Sequence, residues 1–428
     1  MSSFQGNINQ NDFCKCSGYN VIIPRRSLQE YQELPSKEQQ QVWLDLSGKN
    51  DNTATARRQP DFLQRQETDP SLLEKHLKYV EQELEHLVRK DREKQDSNNE
   101  GSTTNTNTNS ASHIDALRTV MNEHPEYVHD RKFLVKFLRA EKFDATKAAS
   151  RIAAYFDEKQ SLFGRDKLTK EIELSDLDEH DMESLRLGFL QVLSEPDHAN
   201  RKVLFYYKAL TNCYKERENI LKTFWYVTNV LAQDEDVQRL GIVNVVYNNG
   251  GFPENGMDYE KSRRLSRLFK AIPVRFSSFF VCIDEGPWLT VVDTFSIIID
   301  KFIRIRLRAI LGSRQECFYQ LMTLGIPVYT MPVNERNQVL VGVHLLWIED
   351  QRRTEMLARE QRWLERQQRQ QQQQQQQQHL QDETSSQALI ARGSSSYERE
   401  IMQPNAMMDL LQATSSHYFG GDYQGAVG

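Results

Sequence analysis

The sequence has no apolar run that approaches the roughly 18 residues needed to span a bilayer. Only 38% of its 428 residues are hydrophobic, and the mean hydropathy is −0.68. No secretory signal is visible at the N-terminus, where polar serine, glutamine and asparagine follow Met1. We therefore expect a cytoplasmic protein that touches membranes only peripherally, with a folded part smaller than the whole chain.

Cysteine and net positive charge are also scarce. The five cysteines are scattered and odd in number, which favours reduced thiols over a disulfide framework. Cys14 and Cys16 have no second Cys or His pair nearby, so they do not predict a metal site. The formal net charge of −6 gives no global attraction to nucleic acid, so any anion-binding surface has to be local.

Catalytic motifs are missing as well. The glycine-bearing loop Asn248–Gly256 lacks the Gly-x-Gly-x-x-Gly spacing, no Gly-Lys-Ser/Thr follows it, and no Gly-x-Ser-x-Gly turn occurs. The sequence therefore predicts no catalysis and no cofactor, and an α/β enzyme is kept only as an alternative, because parallel sheets often host active sites. Five histidines show no metal-ligand spacing: His124, His129, His180, His198 and His344.

Both ends of the chain are polar. Residues 1–110 are rich in Gln, Asn, Ser and Glu and end in the tract Ser97–Ser110, which predicts a disordered N-terminal region. Within it, Pro70–Val88 spaces its leucines and valine like one face of a helix, either solvated or binding a partner. Residues 347–428 predict a charged, coiled-coil-like helix from Arg352 to Arg369, then a polyglutamine tract, Gln370–Gln378, and a disordered tail. Both tails are candidate binding sites for protein partners.

The ordered core is expected between residues 111 and 346. Residues 111–175 predict a helical cap, because Phe133 and Phe137 share one helix face and Asp144 stands at an N-cap position. Residues 176–346 alternate strands with helices, which is typical of a mostly parallel sheet flanked by helices. The predicted strands are Lys202–Lys208, Gly241–Tyr247, Phe276–Ile283 and Ile305–Leu311, and the predicted helices between and after them are Lys215–Asp236, Tyr259–Lys270 and Arg314–Leu324.

One further helix is expected over Pro287–Ile303, the most apolar stretch of the chain. On a helical wheel its apolar residues share one arc, and Ile297 stands on the polar side. Such a helix either covers one face of the sheet or acts as a lid over a hydrophobic cavity. The arc contains Trp288, Val291, Val292, Phe295, Ile298, Ile299, Phe302 and Ile303.

This order of elements resembles the CRAL-TRIO lipid-binding family, which includes retinaldehyde-binding, tocopherol-transfer and yeast secretory phosphatidylinositol-transfer proteins. The resemblance spans residues 111–335 and rests on Phe137–Asp144 in the cap, Ile272–Trp288, the apolar helix, and a strand ending Ile310–Ser313. It implies a hydrophobic pocket above the sheet and a gate helix after Trp288 that opens at a membrane. The apolar arc would then face a lipid tail when closed and the bilayer when open.

The resemblance also indicates candidate head-group residues. Where the phosphatidylinositol-transferring branch has an Arg-Lys pair in the cap, this chain has Glu141 and Lys142, so only the lysine is kept. A strand position becomes Asn244, and the strand lysine falls between Arg306 and Arg308. Lys142, Asn244, Arg306 and Arg308 are thus the head-group candidates, although Lys142 alone matches the branch pattern.

Two other basic features have alternative interpretations. Arg275 is expected to pair with a nearby acid. The basic run Lys261–Lys270 is either a solvated helix face or a surface that attracts an anionic bilayer.

The sequence thus predicts a protein that binds a hydrophobic lipid, such as a phospholipid, a sterol or an isoprenoid. It would exchange that lipid at a transiently bound membrane surface. The alternative is a lipid-sensing adaptor that does not transfer lipid and recruits partners through its tails.

Overall fold

A computed structural model describes residues 13–15, 21–47, 65–99, 114–208, 210, 216–248, 258–283, 292, 296–297 and 299–401. Residues up to Arg352 form one compact unit, and those from Arg353 form a second. The first unit is built around a seven-stranded sheet with the order β1-β2-β7-β6-β5-β4-β3. Its strands are β1 (Phe13–Lys15), β2 (Val21–Pro24), β3 (Leu190–Val192), β4 (Lys202–Tyr207), β5 (Ile242–Asn248), β6 (Phe276–Ile283) and β7 (Leu307–Leu311).

The four central strands, β4 to β7, pair in parallel, which confirms the predicted fold class. Strands β3 and β2 pair antiparallel at the two sides of this parallel block. Every residue of β6 is buried, as expected for a parallel strand that helices cover on both faces. This is why β-branched and aromatic residues predominate in β4, β5 and β6.

Along the central strands, successive side chains point to opposite faces of the sheet and pack in two separate hydrophobic cores. Leu204, Phe279 and Ala309 face the helical cap, whereas Val203, Phe280 and Ile310 face the other layer. The helices of the first unit are α1 (Arg25–Gln32), α2 (Ser36–Ser47), α3 (Pro70–Asn99), α4 (Asp115–Glu123), α5 (Pro125–Val128), α6 (Arg131–Ala140), α7 (Ala145–Phe163), α8 (Glu179–Arg186), α9 (Arg217–Leu231), α10 (Glu235–Leu240), α11 (Tyr259–Ala271), α12 (Lys301–Arg304) and α13 (Arg314–Thr323). Helix α14 (Gly342–Ile401) begins in the first unit and continues into the second.

The N-terminal region is part of the fold over residues 21–47 and 65–99, so the expectation of disorder throughout residues 1–110 is corrected there. Strand β2 pairs with β7, and Val42 and Leu46 of α2 join the core on the face away from the cap. In α3, the spacing of Leu73, Leu77, Val80 and Leu84 buries one stripe in the cap core, although the average composition of the segment is polar. The predicted linker at 100–110 lies outside the described residues.

Three other predicted elements differ in their limits. The long helix ends at Leu231, because Asp234 caps α10 as a separate helix by accepting from the backbone N–H groups of Asp236 and Val237. Strand β7 begins at Leu307, two residues later than predicted. The apolar segment is not one helix to Ile303, since Asp300 is extended and caps the short α12 through the N–H of Phe302.

The C-terminal helix α14 contains the predicted charged segment and the glutamine tract, whose side chains are exposed. Residues 402–428 lie outside the described part. Within the part of the chain that is described, no helix is both long and apolar enough to cross a membrane.

Replacing Leu84 with Ala tests whether α3 packs as described. Because Leu84 is fully buried against the cap, we expect the substitution to lower the free energy of unfolding by about 2–5 kcal/mol. Tyr79→Ala is the matched control on the exposed face of the same helix, and it should change the free energy by less than about 1 kcal/mol. Urea unfolding measures both, and equal small effects would show that α3 does not pack on the cap.

Candidate functional site

A small cavity lies on the face of the sheet that carries the cap. Its walls come from β4, β5 and β6 below and from α9 and α11 at the side, and its volume is about 90 Å³. Most lining side chains are apolar or aromatic, because residues of alternate parity on these strands point to this face. The lining residues are Tyr206, Lys208, Phe224, Asn244, Val246, Asn248, Lys261, Ser262, Leu265, Phe269, Phe279, Val281 and Val292.

The helix that forms one wall, α11, is fixed at its C-terminal end. Arg151 of α7 donates from Nη1 to the backbone oxygens of Phe269, at 3.1 Å, and Ile272, at 2.7 Å. The same guanidinium donates from Nε to Glu141 at 2.5 Å. The cap therefore holds this end of the cavity wall through charge-assisted hydrogen bonds.

The predicted gate segment is only partly described. Val292 is buried and lines the cavity, and Ile299 and Ile303 are buried in the core on the same side. Ile297 is 58% exposed, as expected for an apolar side chain on the polar side of the wheel. Phe302 is 37% exposed, and the guanidinium of Arg306 stacks over its ring at 3.8 Å. Trp288, Val291, Phe295 and Ile298 lie outside the described residues.

A separate, polar site lies where the parallel strands begin. Arg201, Arg275 and Arg306 each stand immediately before one of these strands, so the parallel pairing places them along the N-terminal edge of the sheet. Arg306 donates to one carboxylate oxygen of Asp45 from Nε at 3.0 Å and from Nη2 at 2.8 Å. Arg201 donates to the backbone oxygen of Asp45. Asp45 of α2 is therefore held by two arginines of this edge.

Three cationic side chains surround the single carboxylate of Asp45. Burial alone would raise the pKa of Asp45, but the nearby cations Arg275, Lys142 and Arg306 hold it below its ordinary value. Burial and the charge of Arg275 together lower the pKa of Lys142 to about 7, although Asp45 opposes the shift. We call Lys142, Arg275, Arg306 and Asp45 the edge cluster. Lys142 is partly buried there.

The four candidate head-group residues do not form one site. Lys142 and Arg306 meet in the edge cluster, whereas Asn244 lines the cavity in the middle of β5. Arg308 of β7 donates to the backbone oxygens of Ile305 and Leu307 at 3.0 and 2.8 Å.

One further expectation about basic residues needs correction. Arg275 donates to the backbone oxygens of Arg239 and Leu240 instead of pairing directly with an acid. On α11, Lys261 is buried, Arg263 pairs with Glu260 of the same helix, and three other basic residues pair with acids of other elements. The pairs are Arg264 with Glu218, Arg267 with Glu158 and Lys270 with Asp300.

Asp45, Arg201 and Lys208 were not identified from the sequence. Arg201 carries a visible signal, since it stands directly before the predicted strand Lys202–Lys208, as Arg275 does before Phe276–Ile283. Asp45 carries none, because its segment is too polar to predict packing against the sheet. Among the described residues, no group of three or more His, Cys, Asp or Glu side chains could hold a metal ion.

Asp45→Asn tests the edge cluster. Removing this carboxylate leaves buried cations without their acid, so we expect the free energy of unfolding to fall by about 3–5 kcal/mol. Adding Arg306→Met should recover part of the loss, since the buried charge is then removed as well. Glu349→Gln, which breaks an exposed pair with Arg352, is the control and should cost less than about 1 kcal/mol. A loss no larger than the control's would contradict the assignment.

The pKa of Lys142 also predicts a pH dependence. An unfolded lysine titrates near pH 10.4, whereas Lys142 in the fold has a pKa of about 7. Between these values the unfolded chain binds the extra proton, so this residue makes stability rise with pH over that window. Lys142→Met should therefore be most stabilising, relative to the wild type, near pH 6, and this difference should shrink toward pH 10.

Urea unfolding at pH 6, 7, 8, 9 and 10 measures the difference between the two proteins. Lys132→Met, at an exposed position of α6, serves as the control and should show a difference that does not vary with pH. A constant difference for Lys142→Met would contradict the burial of this ammonium group.

No protein-family model matches this chain, and no curated protein sequence matches it. Among solved structures, the crystal structure of Sfh5 is similar over 45% of this chain and 68% of its own, with 13% sequence identity and a TM-score of 0.30. A likeness this slight leaves the family of the chain open, so its function has to be inferred from the residues of the site.

Proposed function

We propose that the protein binds a hydrophobic lipid monomer in the cavity above the sheet and exchanges it at a membrane surface. The observation that supports this most directly is the cavity itself. It is lined mainly by apolar and aromatic side chains of three parallel strands and two helices, and its polar lining residues are Lys208, Asn244, Asn248, Lys261 and Ser262. The resemblance of the sequence to the CRAL-TRIO family agrees with this proposal, as does the absence of catalytic motifs.

The size of the cavity implies that its roof moves. About 90 Å³ is less than the roughly 150 Å³ that admits benzene in an engineered protein core. A lipid tail therefore enters only if part of the wall is displaced, and Val292 belongs to the most apolar segment of the chain. We place the hinge at Ile299 and Asp300, where a bend and an extended residue precede α12. Each methylene that enters gains about 0.8 kcal/mol, which supports the opening.

The exposed Ile297 suits a segment that contacts lipid when it opens. It follows the buried Ser296 and precedes the break before α12. In the open state, Ile297 and the apolar arc would insert together into the acyl boundary of a bilayer. Exchange would then take place at the membrane, which avoids transfer of the lipid tail through water.

The edge cluster remains a candidate site for an anionic head group. Lys142, Arg275 and Arg306 supply three cations, and a phosphate oxygen would compete with the Asp45 carboxylate for Arg306. Phosphatidylinositol is one lipid with such a head group. Binding there would require α2 to move away from the edge of the sheet.

Sensing without transfer is the second candidate function. The observation that favours it is α14, whose residues from Arg353 onward belong to a separate unit. Its side chains that are described, between residues 353 and 381, are mostly exposed and could contact a partner protein. Vesicle assays separate the two functions, because a carrier moves lipid from donor to acceptor vesicles and a sensor retains it. Native mass spectrometry of the purified protein would identify a retained lipid.

Val292→Asp tests the roof. A charge at this buried lining position should lower the binding of pyrene-labelled phosphatidylcholine or phosphatidylinositol from donor vesicles at least tenfold, because the carboxylate is costly in an apolar cavity. Met322→Asp, at an exposed apolar position of α13 outside the cavity lining, is the matched control and should leave binding within about threefold. Val292→Trp fills the cavity without adding charge. Reduced binding by this variant would show that the cavity volume is needed, without the risk that a buried charge unfolds the protein.

The readouts are lipid bound per protein and transfer to acceptor vesicles, with circular dichroism as the check on folding. Unchanged binding by folded Val292→Asp and Val292→Trp would exclude this cavity as the lipid site.

A further inference from the structure

One buried amide oxygen faces the cavity without a donor. Asn248, the last residue of β5, lines the cavity and is 4% exposed. Its Oδ1 is buried and has no hydrogen-bond partner in the described part of the chain. The hydroxyl of Ser262, which also lines the cavity, donates to the backbone oxygen of Asp258 at 3.0 Å instead. A buried acceptor of this kind is rare in a folded protein and costs free energy until a donor reaches it.

The lysines near this end of the cavity do not require an anion. Lys208 directly follows β4, and Lys261 lies in the first turn of α11. Both lysines interact with other groups of the fold, and Asp258 stabilises the charged form of each. The Asp258 carboxylate also accepts from the backbone N–H of Lys261 at 3.0 Å. The charges here are therefore partly balanced within the protein, and the group that lacks a partner is the neutral amide oxygen of Asn248.

An unsatisfied acceptor selects a ligand that donates a hydrogen bond. An ionised carboxylate, an ester and a phosphodiester have only acceptor oxygens, so none of them pairs with Oδ1 of Asn248. An ammonium group donates, but it would add a third cation beside Lys208 and Lys261. A hydroxyl group donates without bringing a charge into a mostly apolar cavity.

We propose that the cavity binds a lipid alcohol, a neutral amphiphile whose head is a hydroxyl group, and that this hydroxyl donates to Oδ1 of Asn248. The inference rests on the proposed lipid site and adds the chemical class of its ligand. The tail would lie along the aromatic part of the wall, where the rings of Phe224 and Phe279 each pack against Phe269. A head this small requires little widening of a cavity of about 90 Å³.

Competition binding to the full-length protein tests the head group. The probe is diphenylhexatriene, which has no hydrogen-bonding group and fluoresces more strongly in an apolar site. The competitors are oleyl alcohol, its methyl ether and oleate, which share one tail. The alcohol should displace the probe at a concentration about tenfold lower than the ether, because only the alcohol donates to the buried oxygen. Oleate should compete more weakly than the alcohol, since it lacks the donor and carries a charge.

Variants assign the preference to one amide. Asn248→Leu removes the acceptor and keeps a side chain of similar size, so it should weaken the alcohol about tenfold and change the ether less than about threefold. The substitution should not lower the free energy of unfolding measured in urea, because the lost oxygen has no partner in the described part of the chain. Asn122→Leu, at an exposed position of α4, is the control and should alter neither affinity.

Equal competition by the alcohol and the ether would overturn this inference and leave the lipid site standing, since a bound water would then satisfy Oδ1. Oleate that competes as well as the alcohol would overturn it too. A preference that survives Asn248→Leu but is lost in Asn244→Leu, on the same face of β5, would contradict the assignment to Asn248. If Asn248→Leu does not fold, the comparison of alcohol with ether on the wild type still decides. Failure of the probe and all three competitors to bind would overturn the proposed function as well.

Discussion

The fold depends most on the contacts of Asp45 with Arg306 and Arg201 at the N-terminal edge of the sheet. Three arginines precede three parallel strands. Asp197 neutralises Arg201, whereas Arg275 and Arg306 meet Lys142 of the cap, so like charges lie together where the strands begin. One carboxylate from α2 offsets part of this repulsion and fixes the N-terminal segment against the sheet. Without that acid, Arg306 and Lys142 would lose the carboxylate that offsets their charge in a buried site.

The parallel strands also separate two chemistries along one direction. Cationic side chains lie at their N-terminal edge, apolar side chains fill the middle, and Lys208 with Asn248 lies at their C-terminal edge. The order follows from parallel pairing, which puts equivalent positions of every strand side by side. Amphiphiles match such a gradient, because their tail and head also separate along one axis.

The alternation of strands and helices predicted the sheet well, since Phe276–Ile283 and the Tyr259 helix carry strong local patterns. The N-terminal contribution was missed because Val42 and Leu46 are two apolar residues in a polar segment, and their packing depends on a distant sheet. Residue spacing also could not place Lys142, Arg306, Asn244 and Arg308 relative to one another. Of these four residues, the fold brings only Lys142 and Arg306 into one site. The break at Asp300 depends on a cap hydrogen bond that a helical wheel ignores.

The hydrogen bonds from Arg151 to the C-terminal end of α11 limit how the cavity can widen. A wall anchored at Phe269 and Ile272 cannot swing outward as a rigid piece without giving up those bonds. If the cavity holds a lipid as proposed, room for a longer tail would come from the Val292 side, so the cavity would lengthen in one direction and keep its width. Selection among ligands would accordingly act on chain thickness, such as branching or ring fusion, more than on chain length.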